Sequence, residues 1–211
     1  SFTAKQGEVT ALVGPSGGGK TTVSRLAARF WDINRGKITV GGMDVSRIDP
    51  ETLLSLYSIV FQDVTLFDNT ILENIRIGNK DATDEQVIAA AKLANVDEFA
   101  EKLPDGWHTN IGENGCELSG GERQRIGIAR IFLRDPDLCL MDEPSSTLDA
   151  QHEKELLHTL KTEYGKKISC FNVSGFIPHF QKIPKIGWKA PFAPGEQDFR
   201  CKVCVRDGAG L

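Results

Sequence analysis

The sequence predicts an α/β fold, a mostly parallel sheet that carries an inserted block of helices. Short apolar runs that end in turn residues alternate with stretches of helical spacing, the pattern of strands crossing over through helices. One alanine-rich stretch, from about Asn74 to Leu103, has no strand character and reads as an insertion on the sheet. A chain of 211 residues with 40% hydrophobic content is long enough for one core, or a core with a subdomain.

The elements follow in order. "EVTALV", Glu8 to Val13, is a buried-strand run ending at Gly14-Pro15. After a glycine loop, "KTTVSRLAARF" spaces Val23, Leu26, Ala27 and Phe30 at helical intervals. "KITVGGMDV" alternates and turns at Gly41-Gly42, which predicts a hairpin. "YSIVFQD" reads as another short strand. Thr83 and Gln86 match a capping box opening the helical "EQVIAAAKLANVDEFAEKL". A second helical stretch, "ERQRIGIARIFL", follows Gly121 and stops at Asp135-Pro136. "LCLM", Leu138 to Met141, reads as a central strand ending at Asp142, and helical spacing resumes from Asp149 to Tyr164. After Lys167 prolines and scattered aromatics break every period, leaving only a short strand at Ile168 to Val173.

Composition narrows the function classes. A charged fraction of 26% and a net charge of −4 describe an ordinary soluble globular chain, with no basic surface for nucleic acid or anionic lipid. No run reaches the roughly 18 apolar residues of a membrane span, since even "IGIARIFL" contains Arg130. If the chain works at a membrane, another segment does the spanning. "SFTAKQGE" lacks the order of a signal peptide, which argues for the cytosol, and without an initiator Met it is expected to be a piece of a longer protein. The five cysteines make no disulfide framework. Cys116 and Cys139 are expected to be small buried hydrophobes, and Cys201-x-x-Cys204 to be unpaired thiols, because a zinc site needs a further pair of ligands.

Two motifs carry chemistry. "GPSGGGKT", Gly14 to Thr21, matches G-x-x-x-x-G-K-[ST] between a strand and a helix. Its glycines let the backbone curl so that N–H groups face phosphate oxygens at the positive end of the helix. Lys20 would neutralise the β- and γ-phosphates, and Thr21 would offer its hydroxyl to Mg²⁺. "LCLMDE" sets Asp142 at the sheet's C-terminal edge as a Mg²⁺ ligand, and Glu143 beside it to orient or deprotonate an attacking water.

These segments, with "LSGGERQR" from Leu118 to Arg125 and "LCLMDEPSSTLD" from Leu138 to Asp149, resemble the nucleotide-binding domain of ABC ATPases from about Gly7 to Lys161. The resemblance implies a P-loop NTPase (RecA-like) core divided as 1–73 and 135–166, a helical subdomain with the signature motif at 74–134, and an atypical tail at 167–211. It implies that ATP is held by Gly14, Pro15, Ser16, Gly17, Gly18, Gly19, Lys20, Thr21 and Thr22. Mg²⁺ would be held by Thr21, Gln62 and Asp142, and Glu143, Lys20 and Gln62 would serve hydrolysis. In such proteins two domains pair head to tail. The signature Leu118, Ser119, Gly120, Gly121 and Glu122 then closes on the partner's nucleotide, and Asp149 stands in the D-loop. Ser119 is equally suited to be a helix N-cap. Implied partners are a second nucleotide-binding domain and a transmembrane domain, fused or separate, at the cytoplasmic face of a membrane; nucleic acid is not among them. "TNIGENG" and "FQDVTLFDNTILENI" lean toward export, whereas "DEPSSTLD" is common in importers.

Two family features are missing. The adenine-stacking aromatic belongs upstream of the loop, before this chain begins, and Phe2 lies too close to replace it. The strand "ISCFNVS" puts Ser174 where a histidine touching the γ-phosphate is expected. His179 follows Pro178 and comes late, and His152 and His158 are expected to be solvated. Three functions therefore stand: a transporter motor that hydrolyses ATP, a nucleotide-binding module with little hydrolysis, and a soluble ABC-fold ATPase acting on DNA or ribosomes.

Overall fold

The computed structural model describes residues 2–5, 8–15, 17–61, 63–143 and 147–162, together with the backbone of the strands Ile168–Ser174, Lys185–Gly187 and Phe199–Cys204. It divides into two compact units. The first holds Ser1–Ser58, Asp137–Glu143 and Leu160–Leu211, and the second Ile59–Pro136 and Pro144–Thr159.

The first unit carries two sheets. In the larger, strands β2 (Val9–Gly14), β5 (Tyr57–Val60), β6 (Leu138–Asp142), β7 (Ile168–Ser174) and β8 (Lys185–Gly187) lie in the order β5-β6-β7-β2-β8. β7 pairs in parallel with β2 on one side and β6 on the other, and β8 runs parallel to β2. Every residue of β6 is buried, as a central parallel strand covered on both faces requires. Helix α1 (Lys20–Ala27) leaves the end of β2 and turns Val23 and Ala27 inward. In the smaller sheet β1 (Phe2–Lys5), β3 (Gly36–Val40), β4 (Met43–Asp44) and β9 (Phe199–Cys204) lie in the order β1-β9-β3-β4. The predicted β3–β4 hairpin closes through Gly41 and Gly42, both at positive φ (58° and 85°), the conformation a two-residue link needs to match strand twist.

Several elements go beyond the expectations from sequence. The tail contributes β8 and β9 as well as β7, and β9 pairs in parallel with both β1 and β3, carrying Cys201 and Cys204 in its register. Helix α2 (Pro50–Leu56) is set by Asp49, whose carboxylate accepts from Thr52 N–H at 3.0 Å, and by Pro50 in the first turn.

The second unit is helical. It contains α3 (Ile71–Arg76), α4 (Asp84–Leu93), α5 (Asp97–Ala100) and α6 (Gly120–Arg134), and α7 (Ala150–Thr162) begins in it. The capping box predicted at Thr83 and Gln86 is present. The single alanine-rich run is two helices, because Asn95 enters the left-handed region at φ 55° and ends α4. Helix α6 packs on α3 and α4, burying Ile126, Ile128, Ala129 and Ile131 to 1% exposure or less. Each buried isoleucine contributes about 1.5–3 kcal/mol relative to exposure. Among the described residues no helix is long and apolar enough to cross a membrane.

Candidate nucleotide site

In the first unit the chain passes from β2 through the glycine loop into α1. Gly17 and Gly19 hold φ of 75° and 85°, so the loop curls where a side chain would be strained. At Gly18 a Cβ would stand 2.9 Å from Pro15 O, a carbonyl that also accepts from Gly18 N–H at 3.1 Å. Lys20 is 4% exposed, and its ammonium donates to Gly14 O at 3.1 Å and Pro15 O at 2.9 Å. A buried cation is thus held over its own loop by two carbonyls. At the start of α1 the N-cap is Gly19, with no side-chain cap and no acid in the first turn. Its first-turn N–H groups therefore face no competing side-chain acceptor among the described residues, and the helix end keeps its positive character for an anion. Thr21 is half-buried and Thr22 exposed. The cradle fits phosphate: a buried ammonium, a curled glycine backbone and an uncapped helix start converge on one loop.

The acids lie on the same sheet. Asp142 ends β6 at 7% exposure, and Glu143 follows at φ 50°, a conformation that costs a non-glycine residue about 1–2 kcal/mol. A hydroxyl at Thr21 and a buried carboxylate at Asp142 are hard oxygen donors, the set Mg²⁺ takes. Between the loop strand and the acid strand runs β7. Its Ser174 is level with Gly14, and its Asn172 is level with Asp142. Ser174 thus occupies the strand end between loop and acids, in the position where a histidine is expected.

In the second unit the predicted signature opens α6. Ser119 is its N-cap: the hydroxyl accepts from Glu122 N–H at 3.3 Å, while the Glu122 carboxylate accepts from Ser119 N–H at 2.7 Å. The two glycines have a packing reason. A Cβ on Gly120 would stand 3.4 Å from Thr147 Cγ2, and one on Gly121 would stand 3.0 Å from Thr147 O. Leu118 is buried, and its carbonyl accepts from Arg123 at 2.7 Å. Asp149 caps α7, accepting from the N–H groups of Gln151 and His152, each at 3.0 Å. Ser16, Gln62, Pro144, Ser145, Ser146 and His179 lie outside the described residues.

Two expectations are corrected here. His152 is not a solvated surface residue: its side chain is 21% exposed and its ring sits between Asp149 and Glu98. Cys116 is exposed rather than buried, with its sulfur over Gly112, where a Cβ would come within 2.8 Å. Cys139, on β6, is buried as expected. Sequence pattern also gave no sign of Asn74 and Arg130, which join the segment after β5 to α6. Arg130 donates to Asn74 O and Thr65 O, each at 2.7 Å, and burial pushes its guanidinium down to about 10.

Loop, acids and parallel sheet define a P-loop nucleotide-binding protein. The family model described as ABC transporter matches residues 1–146, and the chain belongs to that ATP-binding family. It is 47% identical over 153 residues to ABC transporter B family member 4 of Dictyostelium discoideum, covering 72% of this chain and 20% of that protein. It is 48% identical to the ATP-dependent lipid A-core flippase of Legionella pneumophila (strain Lens), covering 72% and 26%. With the mitochondrial iron-sulfur clusters transporter atm1 of Aspergillus fumigatus it shares 45% over 179 residues, covering 85% and 24%. A solved structure of a bacterial Atm1-family ABC exporter with ATP bound superposes with a TM-score of 0.77 at 38% identity, covering 81% of this chain and 30% of that one. The chain spans only about a fifth to a quarter of the length of these curated relatives.

Proposed function

We propose that this chain is the ATP-hydrolysing motor domain of an ABC exporter, working as one half of a head-to-tail pair that sandwiches nucleotide. The observation that carries the proposal is the convergence on one sheet edge of the glycine loop with buried Lys20, and of Asp142 and Glu143 at the end of β6. When bound, MgATP supplies a polarised γ-phosphate as the group transferred to water. Lys20 and the N–H groups of Gly17 to Thr22 hold the phosphates. Thr21, Asp142 and Gln62 hold the cation, and Glu143 takes the proton of the attacking water. Glu143 is suited to this by its place directly after Asp142, where its left-handed backbone turns the chain away from the strand.

Ser119, Gly120 and Gly121 would serve the partner's nucleotide, since the α6 N-terminus offers N–H groups and helix dipole to an anion. The division into a core at 1–73 and 135–166, a helical subdomain at 74–134 and a tail at 167–211 belongs to the same proposal. So do a membrane-spanning partner segment and a place at the cytoplasmic face of a membrane.

A second reading rests on a different observation. Ser174 stands at the strand end between loop and acids, so a nucleotide-binding module with slow hydrolysis fits that edge too. Equilibrium binding of MgATP tests the shared part of both readings. Lys20→Ala should abolish binding, and an unchanged affinity would remove the loop from the site.

A further inference from the structure

One ion network in the second unit takes no part in holding nucleotide. His152 Nδ1 lies 2.7 Å from Asp149 Oδ2, and His152 Nε2 lies 2.7 Å from Glu98 Oε2 on α5. Ionised carboxylates only accept hydrogen bonds, so both contacts are satisfied at once when each ring nitrogen carries a proton. Arg125 on α6 completes the group: its Nη1 donates to Glu98 Oε2 at 2.9 Å and to Asn95 O at 3.0 Å, and stands 3.1 Å from His152 Nε2. Glu155 on α7 borders the cluster and accepts from Asn95 and Gln151. Glu98, His152 and Glu155 could together hold a metal ion, with ligating atoms within 4.8 Å of one another. The Arg125 guanidinium already fills the cationic position against Glu98, so the cluster is a closed ion network.

We propose that His152 is a positioning residue whose doubly protonated ring ties Asp149 to α5 and α6, and that loss of one proton releases the tie, making the placement of Asp149 depend on pH. The proposal rests on the reading of Asp149 as the D-loop residue that communicates with the partner domain. A neutral ring has one N–H and one lone pair, so it keeps one carboxylate and sets a lone pair against the other.

The charges agree in sign. The hydrogen bond to Glu98 first, and then that to Asp149, raise the His152 ring above the ordinary histidine value, against burial and the repulsion of Arg125. Glu98 is held below its ordinary value chiefly by His152. Asp149 is lowered first by the backbone N–H of His152 and then by its ring. A raised histidine contributes stability that is complete below its unfolded value of about 6.5 and is lost as pH rises through its folded value. The lowered carboxylates lose their contribution as pH falls through their own folded values. The tie therefore holds between those limits and opens on the alkaline side of the His152 midpoint.

The test is an NMR titration of the full chain without nucleotide, following the ¹⁵N-labelled His152 ring and the amide signals of Thr147 and Asp149. The ring should titrate above about 6.5, and both amides should move with the same midpoint. Glu98→Gln, which keeps the side-chain shape, should shift that midpoint down, and His152→Gln should remove the pH response of the amides. A ring that carries a single proton at pH 6, amides that ignore its midpoint, or saturable capture of Zn²⁺ by the ring nitrogens at pH 7 would each overturn the proposal. Because no nucleotide is present, failure here is separate from failure of the motor reading, which turnover tests.

Discussion

Asn74 shows how much one buried amide can organise. It is 0% exposed. Its Oδ1 accepts from Phe67 N–H at 2.9 Å and from Arg130 at 3.1 Å, while its Nδ2 donates to Phe67 O and Thr70 O, each at 3.0 Å. Asn74→Ala would strand the Phe67 N–H and part of a buried guanidinium, and should cost about 2–4 kcal/mol in urea unfolding. A loss below about 0.5 kcal/mol, within the range of an ordinary surface change, would show that water satisfies these groups instead. Glu143→Gln belongs at this scale too: binding of MgATP should persist while turnover stops, and an unaffected rate would remove Glu143 from the chemistry. The glycine loop, Asp142 and Glu143 were legible because each role needs a fixed residue type at a fixed spacing. Asn74, Arg130, Glu98 and His152 were not, since their partners lie up to 65 residues away and follow no period.

Among the elements, the chain just past the end of α3 comes close to α6 at Gly78. A Cβ there would collide with the backbone carbonyl of Arg130, an atom that no side-chain rotation can move. Gly78→Ala should therefore cost about 1–3 kcal/mol and lower the thermal midpoint by several degrees. An unchanged midpoint would mean that α3 shifts freely against α6. The buried strand β6 and the capped helices α4 and α6 were readable from apolar runs, from the pair Thr83 with Gln86 and from Ser119 as an N-cap. The break at Asn95 was hidden because helical periodicity continues across it, and only the left-handed backbone reveals the stop. Helix α2 could have been found from Asp49-Pro50, an N-cap followed by a first-turn proline. Strand β8 could not, because three residues carry too few positions to set an alternation, whereas the alternating Phe-Arg-Cys-Lys-Val at the start of β9 was a signal that could have been read.

For the whole molecule the question is whether the phosphate cradle and its acids suffice with Ser174 at the strand end between them. β7 brings Ser174 level with Gly14, so Ser174→His is the substitution that should place a γ-phosphate contact at that strand end. If that contact limits the rate, Ser174→His should raise turnover about tenfold or more, in line with the worth of a single transition-state donor. A rate unchanged by Ser174→His would mean that the contact comes from another residue. The measurement that tests the central claim most directly is MgATP turnover by the purified chain, at protein concentrations high enough for pairing, beside the Lys20→Ala control. The motor reading predicts phosphate release that disappears in Lys20→Ala. Tight MgATP binding with no phosphate release at any protein concentration would contradict it and leave a nucleotide-binding module.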